Sequence, residues 1–209
     1  VSPEALRFGL RPGDGIAFRA EADRWRFPPR PRLYGIGPGK SGTHALASLF
    51  QGLAVAHEPE APELIEAWLA YEAGASDWRS LVAFVAARER RLNLTVDVSN
   101  LNIFLLELLV ALDPQARFVL TIRDPWSWLD SILNHYLCHR PSAQWRAFAD
   151  HRFGCGGPHP PAEAPLQALG LYPLAGYLNY WRAHLEHALT AVPAERLLVV
   201  RVERIAAEA

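Results

Sequence analysis

Lys40 is the one lysine of this chain; every other basic residue is an arginine. It stands in Gly37-Pro38-Gly39-Lys40-Ser41-Gly42, between an apolar run that reads as a strand and a segment that reads as a helix. Three chemistries suit such a loop. Its G-x-G-x-x-G spacing, with Glu58 about 20 residues on, has the form of a dinucleotide-binding turn. A lysine is unusual there, because the helix N-terminus and its amides already serve the pyrophosphate. Lys40-Ser41 also has the ending of a nucleotide-phosphate loop, G-x-x-x-x-G-K-[ST]. The first glycine of that frame would fall on Tyr34, so the loop is one residue short. The third chemistry uses every polar residue. Amides of Gly39, Lys40, Ser41, Gly42 and Thr43 converge on an anion at a helix start, Lys40 adds a mobile charge, and Ser41 and Thr43 add hydroxyl donors. A tight turn that binds nothing is the plain alternative.

A second anion anchor follows about 80 residues later, in Arg123-Asp124-Pro125-Trp126-Ser127-Trp128-Leu129-Asp130-Ser131. A strand ends at Arg123, and Ser131 lies eight residues on, along the next helix. A guanidinium fork and a hydroxyl can share one phosphate. His57 and Glu58 close another strand and are candidates for proton transfer. His44, beside the loop, is a further one. Asp97, Ser99 and Asn100 end a strand on the same edge, where the plain reading is a cap for the next helix.

The elements that must position these groups alternate. Strands are expected at 32–37, 54–57, 92–98, 117–122 and 197–202. Helices are expected at 43–53, 62–71, 78–91, 101–112, 124–137 and 172–191. Such alternation predicts an α/β fold, three layers deep, with a central parallel β-sheet flanked by helices. Ligands of such sheets bind beyond the carboxyl ends of the strands, where the Lys40 loop, His57-Glu58 and Arg123 all begin. Residues 1–31, rich in Arg and Pro, read as an extended lead-in to a single domain over 32–209. Within it, 138–171 reads as a loop or lid on the acceptor side.

Composition narrows the function. The chain has 209 residues, 50% hydrophobic, with a formal net charge of -1. That balance speaks against a general nucleic-acid binder or a polybasic membrane binder. No apolar run reaches the roughly 18 residues of a membrane span. Cys138 and Cys155 make no disulfide framework, so a cytoplasmic location is the simplest expectation. Cys138, His139, His151, Cys155 and His159 follow no standard zinc spacing, and no metal is expected.

Tyr34-Gly35-Ile36-Gly37-Pro38-Gly39-Lys40-Ser41-Gly42-Thr43 resembles the 5′-phosphosulfate loop of sulfotransferases that use 3′-phosphoadenosine 5′-phosphosulfate (PAPS). Arg123 and Ser131 match that family's 3′-phosphate site residue by residue. His44 departs from the pattern, where a hydroxyl residue is common. The segment Leu197 to Ile205 resembles the family's late strand, with departures at Val202 and Arg204, and the sequence ends before the glycine-rich C-terminal nucleotide loop of many members. The resemblance covers about residues 32–137 and 172–205, and suits a bacterial-type member of a P-loop-like fold.

What the resemblance implies is sulfuryl transfer from PAPS to an acceptor hydroxyl, leaving 3′-phosphoadenosine 5′-phosphate (PAP). Gly39, Lys40, Ser41, Gly42, Thr43 and His44 would hold the phosphosulfate, and Arg123 and Ser131 the 3′-phosphate. Lys40 would stabilise the leaving oxygen. Glu58 is the first candidate base and His57 the second. The acceptor would be a small molecule, natural product or carbohydrate. The alternatives are a P-loop small-molecule kinase using ATP-Mg²⁺, a nucleotide-binding module without turnover, and a Rossmann oxidoreductase using NAD.

Overall fold

The computed structural model describes residues 6–203, apart from the side chain of Cys155. Five strands form one sheet: β1 (Leu33–Gly35), β2 (Val55–His57), β3 (Val96–Val98), β4 (Arg117–Ile122) and β5 (Leu197–Arg201). Its order is β2-β3-β1-β4-β5 and every pairing is parallel. The helices are α1 (Pro12–Glu21), α2 (Thr43–Ser48), α3 (Ala61–Glu72), α4 (Trp78–Leu92), α5 (Leu106–Leu112), α6 (Pro125–Cys138), α7 (Ala143–Phe153), α8 (Ala164–Ala168) and α9 (Leu174–Ala191). The expected parallel α/β architecture is therefore present. Helices on both faces bury β3 and most of β4, which is why those strands read as apolar runs rather than alternations. The centre of the sheet is β1, so the Lys40 loop leaves from its middle.

Several boundaries differ from expectation. The segment read as an extended lead-in contains α1 and a 3₁₀ turn at Ala22–Trp25. Pro12 opens that helix with its preset φ, and Phe18 is buried edge-on against Trp78. The helix expected over 43–53 ends at Ser48, ahead of Gly52 with φ +105°. The strand expected from residue 92 begins at Val96, because α4 runs to Leu92 and Asn93 caps it with φ 48°. The first half of the helix expected over 101–112 is 3₁₀, Asn100–Leu105.

The largest difference lies in 138–171. It contains an 11-residue helix, α7, opened by Ser142, whose Oγ accepts from the Trp145 amide at 3.4 Å. Phe148, Ala149 and Phe153 are buried. The glycines after it serve close packing: a Cβ at Gly156 would lie 2.5 Å from the Gly176 amide nitrogen of α9.

Beneath β1 runs a buried ionic chain. Arg32 Nη1 meets Asp113 Oδ2 at 2.6 Å, Arg88 Nη1 meets Asp97 Oδ2 at 2.8 Å and Glu89 Oε1 at 3.2 Å. The Tyr34 hydroxyl donates to Glu89 Oε2 at 2.9 Å. Arg88 Nη2 also donates to the Pro59 carbonyl at 2.9 Å, tying this chain to the turn that carries Glu58. Asp97 is thus a structural counter-ion. Ser99 is a cap, as its plain reading held: its Oγ accepts from the Leu101 amide at 3.1 Å.

Candidate active site

The loop after β1 is built against β4. A Cβ at Gly37 would sit 1.9 Å from Thr121 Oγ1, so only glycine lets the two segments meet. Ser41 is fully buried, and its hydroxyl donates to the Pro38 carbonyl at 2.6 Å with Thr121 Oγ1 at 2.8 Å. That hydroxyl faces the sheet and braces the loop from beneath. Gly42 takes φ +93°, and Lys40, a non-glycine, takes φ 70°. The left-handed turn at Lys40 leaves its side chain exposed at the cavity. Trp128 of α6 donates Nε1–H to the Gly39 carbonyl at 2.8 Å and pins the loop from the other side. The helix that follows, α2, has 6 residues. Its dipole is correspondingly modest, so attraction for an anion rests more on Lys40 than on the helix.

Beside the loop is a cavity of about 370 Å³ lined by both the loop and the β2 end: Lys40, Thr43, His44, His57, Glu58 and Asn100 among others. Its far wall comes from α6 and α7, through His135, Tyr136, His139, Trp145 and Arg152. His57 Nε2 lies 3.0 Å from Thr43 Oγ1, and its ring stacks on His44 at 3.7 Å between centroids. Burial, and then the His44 charge, pull the His57 pKa from 6.5 down to about 4. Burial acts oppositely on Glu58 and raises its carboxyl above the ordinary value. An amide hydrogen bond from Asn100 Nδ2 to Glu58 Oε1, and the charges of Arg152, His44 and Lys40, act against that rise. Glu58 itself takes φ 50°, which turns its side chain out of the strand line.

The segment expected to be a second anchor lines a separate hollow of about 360 Å³, where Arg123 stands with Asp124, Trp181, Leu185 and Arg201. Arg123 Nε donates to Ser127 Oγ at 3.2 Å, and Asp124 caps α6 by accepting from the Trp126 and Ser127 amides at 3.1 and 3.0 Å. Ser131 is partly exposed on the helix face shared with Ser127 and His135, each four residues away. One face of α6 thus leads from Arg123 past Ser131 to the cavity wall at His135. Among the described residues no three His, Cys, Asp or Glu side chains are grouped to hold a metal ion, and no helix is long and apolar enough to cross a membrane. Cys155, one of the residues weighed for zinc, and Arg204, in the late-strand resemblance, lie outside the described side chains.

The sulfotransferase domain family matches residues 33–204, from β1 to the end of the sheet. The chain belongs to that family. A sulfotransferase crystal structure from Alicyclobacillus acidocaldarius is similar at 15% identity, with TM-score 0.49, covering 87% of this chain and 76% of the other. No curated protein matches.

The candidate residues thus fall into groups within this sulfotransferase-family fold. Lys40, Gly39, Thr43, His44, His57 and Glu58 share the cavity. Ser41 is turned beneath the loop, and Arg123 lines a separate hollow. Sequence reasoning missed the far wall, above all Arg152, which is 3% exposed yet lines the cavity. A lone arginine suggests a solvated charge, and the Gly- and Pro-dense stretch that begins at Gly154 drew the whole segment toward a loop. The one signal was Phe148, four residues before Arg152 on the same helix face.

Proposed function

We propose that this sulfotransferase-family chain moves a sulfuryl group from PAPS to an acceptor hydroxyl. The observation that carries the reading is that Lys40 and Glu58 line one cavity, close enough for the Lys40 charge to act on the Glu58 carboxyl. A donor needs a cation at its leaving oxygen, and an acceptor needs a base; one chamber holds both. The phosphosulfate fits the loop side, with the Lys40 ammonium and the Thr43 hydroxyl. Ser41 supports this loop from below instead of touching the donor. The 3′-phosphate is assigned to Arg123 and Ser131, along the face of α6.

In the transfer, the acceptor O–H gives its proton to Glu58 while its oxygen bonds to sulfur. The bond from sulfur to the bridging oxygen breaks, and the electron pair stays on the phosphate of PAP. Lys40 stabilises that charge, and little more than positioning and electrostatics is required. Glu58 suits the base better than His57. The His57 pKa near 4 leaves a weak base, and its Nε2 is engaged with Thr43. The connection after α6 and the first turn of α7 form the acceptor side in this reading, since Arg140, Pro141, Ser142 and Trp145 line the same cavity.

Calorimetry with PAP, 5′-AMP, ATP-Mg²⁺ and NAD tests the reading. PAP should bind best, at least tenfold above 5′-AMP, with the advantage lost in Arg123→Ala. Preference for ATP-Mg²⁺ with Arg123→Ala indifferent would overturn it in favour of a kinase. PAP binding without PAPS turnover on any hydroxyl acceptor would leave a binding module.

A further inference from the structure

One group of the cavity has no part in the transfer as described. Arg152 of α7 is buried among aromatic rings, with its guanidinium carbon 4.3 Å from the Phe148 ring centre, 4.8 Å from Phe153 and 5.4 Å from Tyr180. A cation is held there only where its charge is answered. Arg152 Nη2 donates to the Tyr136 hydroxyl at 3.1 Å, and Nη1 approaches Asn100 Oδ1 at 3.4 Å. The Tyr180 hydroxyl group belongs to one of those rings and feels the same positive charge. Asn100 in turn donates Nδ2–H to Glu58 Oε1.

The polarity of this chain is set throughout. An arginine can only donate, so Asn100 must turn its carbonyl oxygen to Arg152 and its amide to Glu58. At the other end, His184 Nε2 lies 2.7 Å from the Ile36 carbonyl and must donate to it. His184 Nδ1, 3.0 Å from Tyr180 Oη, therefore accepts the Tyr180 proton, and Tyr180 offers its lone pair to Arg152. The donor directions agree from the end of β1 to Glu58. The same residues hold both the entrance to the Lys40 loop and the carboxylate across the cavity.

We propose that Arg152 and Asn100 are positioning residues, which hold the Glu58 carboxylate with Oε1 fixed by the amide so that Oε2 takes the acceptor proton. The catalytic half of this statement rests on the sulfuryl-transfer reading; the hold on Glu58 does not. Glu58 feels His44 on α2, Lys40 on the loop and Arg152 on α7, and shares the cavity with His57 of β2, His135 of α6, and His139 and Arg140 after it. Of these, Arg152 is the buried permanent cation, and Asn100 makes the direct hydrogen bond.

The test is the titration of the Glu58 carboxyl in the full chain, by NMR with glutamate labelled at the side-chain carboxyl carbon. Glu58→Gln assigns the signal. Asn100→Ala should raise the midpoint by about one unit, since it removes the hydrogen bond that favours the charged form. Arg152→Gln should raise it likewise, and Arg152→Lys should stay nearer the parent. If Arg152→Gln does not fold, Asn100→Ala and Arg152→Lys decide. An unmoved midpoint in Asn100→Ala overturns the proposal, whether or not the chain transfers sulfuryl groups. With PAPS and an acceptor, the acid limb of kcat should move upward by the same unit, about tenfold at low pH, while KM for PAPS holds. A uniform loss at every pH would mark Asn100 and Arg152 as merely structural and overturn it too.

Discussion

Replacing Gly37 by alanine should displace the loop that holds Lys40, and the cost can be worked from the contacts. The new Cβ would lie 1.9 Å from Thr121 Oγ1, and 2.8 Å from both Ser41 Oγ and the Thr121 carbonyl oxygen. The shortest of these is far inside van der Waals contact, and β4 is buried around Thr121, so neither side yields freely. Overpacking of this kind costs about 1–3 kcal/mol, and this case belongs at the upper end. Thr121→Ala alone should cost about 1 kcal/mol, because Ser41 loses one hydrogen bond but keeps the Pro38 carbonyl. The double variant removes the worst overlap. It should be at least ~1 kcal/mol more stable than the sum of the single effects predicts. Rescue is partial, since the Thr121 carbonyl remains in the way. Urea unfolding followed by tryptophan fluorescence measures all three, and PAP calorimetry on the folded variants reports the loop. PAP affinity should fall at least tenfold in Gly37→Ala and recover in part in the double variant. Strict additivity, or a Gly37→Ala chain as stable as the parent, would refute the claim that this contact shapes the loop.

Three further outcomes follow from named contacts. Trp128→Phe removes the Nε1–H bond to the Gly39 carbonyl, so it should cost about 1 kcal/mol and weaken PAP binding several-fold; unchanged hydrogen exchange in the loop amides would contradict this. Arg88→Met leaves the buried Asp97 carboxylate without its cation, and Glu89 with Arg32 alone at 3.9 Å, and should cost about 3–5 kcal/mol, read as a lowered unfolding midpoint, whereas a loss under about 1 kcal/mol would show that the ionic chain is dispensable. His184 is buried neutral, with burial pulling its pKa from 6.5 to about 3. The unfolded chain therefore binds the extra proton between those values, and stability is lost as pH falls below about 6.5. Lowering pH to 5 should cost about 2 kcal/mol through this residue, and His184→Gln should reduce the slope of stability against pH by nearly one proton. An unaltered slope would reject the assignment, because His57, His151 and His187, each lowered to about 4, would then carry all of it.

The sheet was legible because burial on both faces writes itself into composition. Val96 to Val98 and Phe118 to Leu120 are covered above and below, so they read as β-rich apolar runs. The Lys40 loop was legible because glycine spacing and a lone lysine need no tertiary context. Helix α7 was not. Its buried side comprises Phe148, Ala149, Arg152 and Phe153, so an arginine stands in the middle of the apolar stripe and spoils the period. An arginine in sequence reads as a solvated charge. What makes this one internal is contributed by other elements, Tyr136 from α6 and Tyr180 from α9.

The same distinction separates the two serines of the proposed anion anchors. At Ser41 the sequence shows a hydroxyl in a phosphate-type loop, but it does not show which side of the loop that hydroxyl takes. The side is set by Thr121, about 80 residues away, which offers a partner beneath the loop at 2.8 Å. A buried hydroxyl is held by the nearest available acceptor or donor, whatever its local motif suggests. Ser131 stands on a helix face instead, where spacing alone puts it in line with Ser127 and His135. Placement encoded by local spacing is therefore readable, as for Lys40 and along α6. Placement that depends on which segment packs underneath, as at Ser41, Asn100 and Arg152, emerges only when the chain folds.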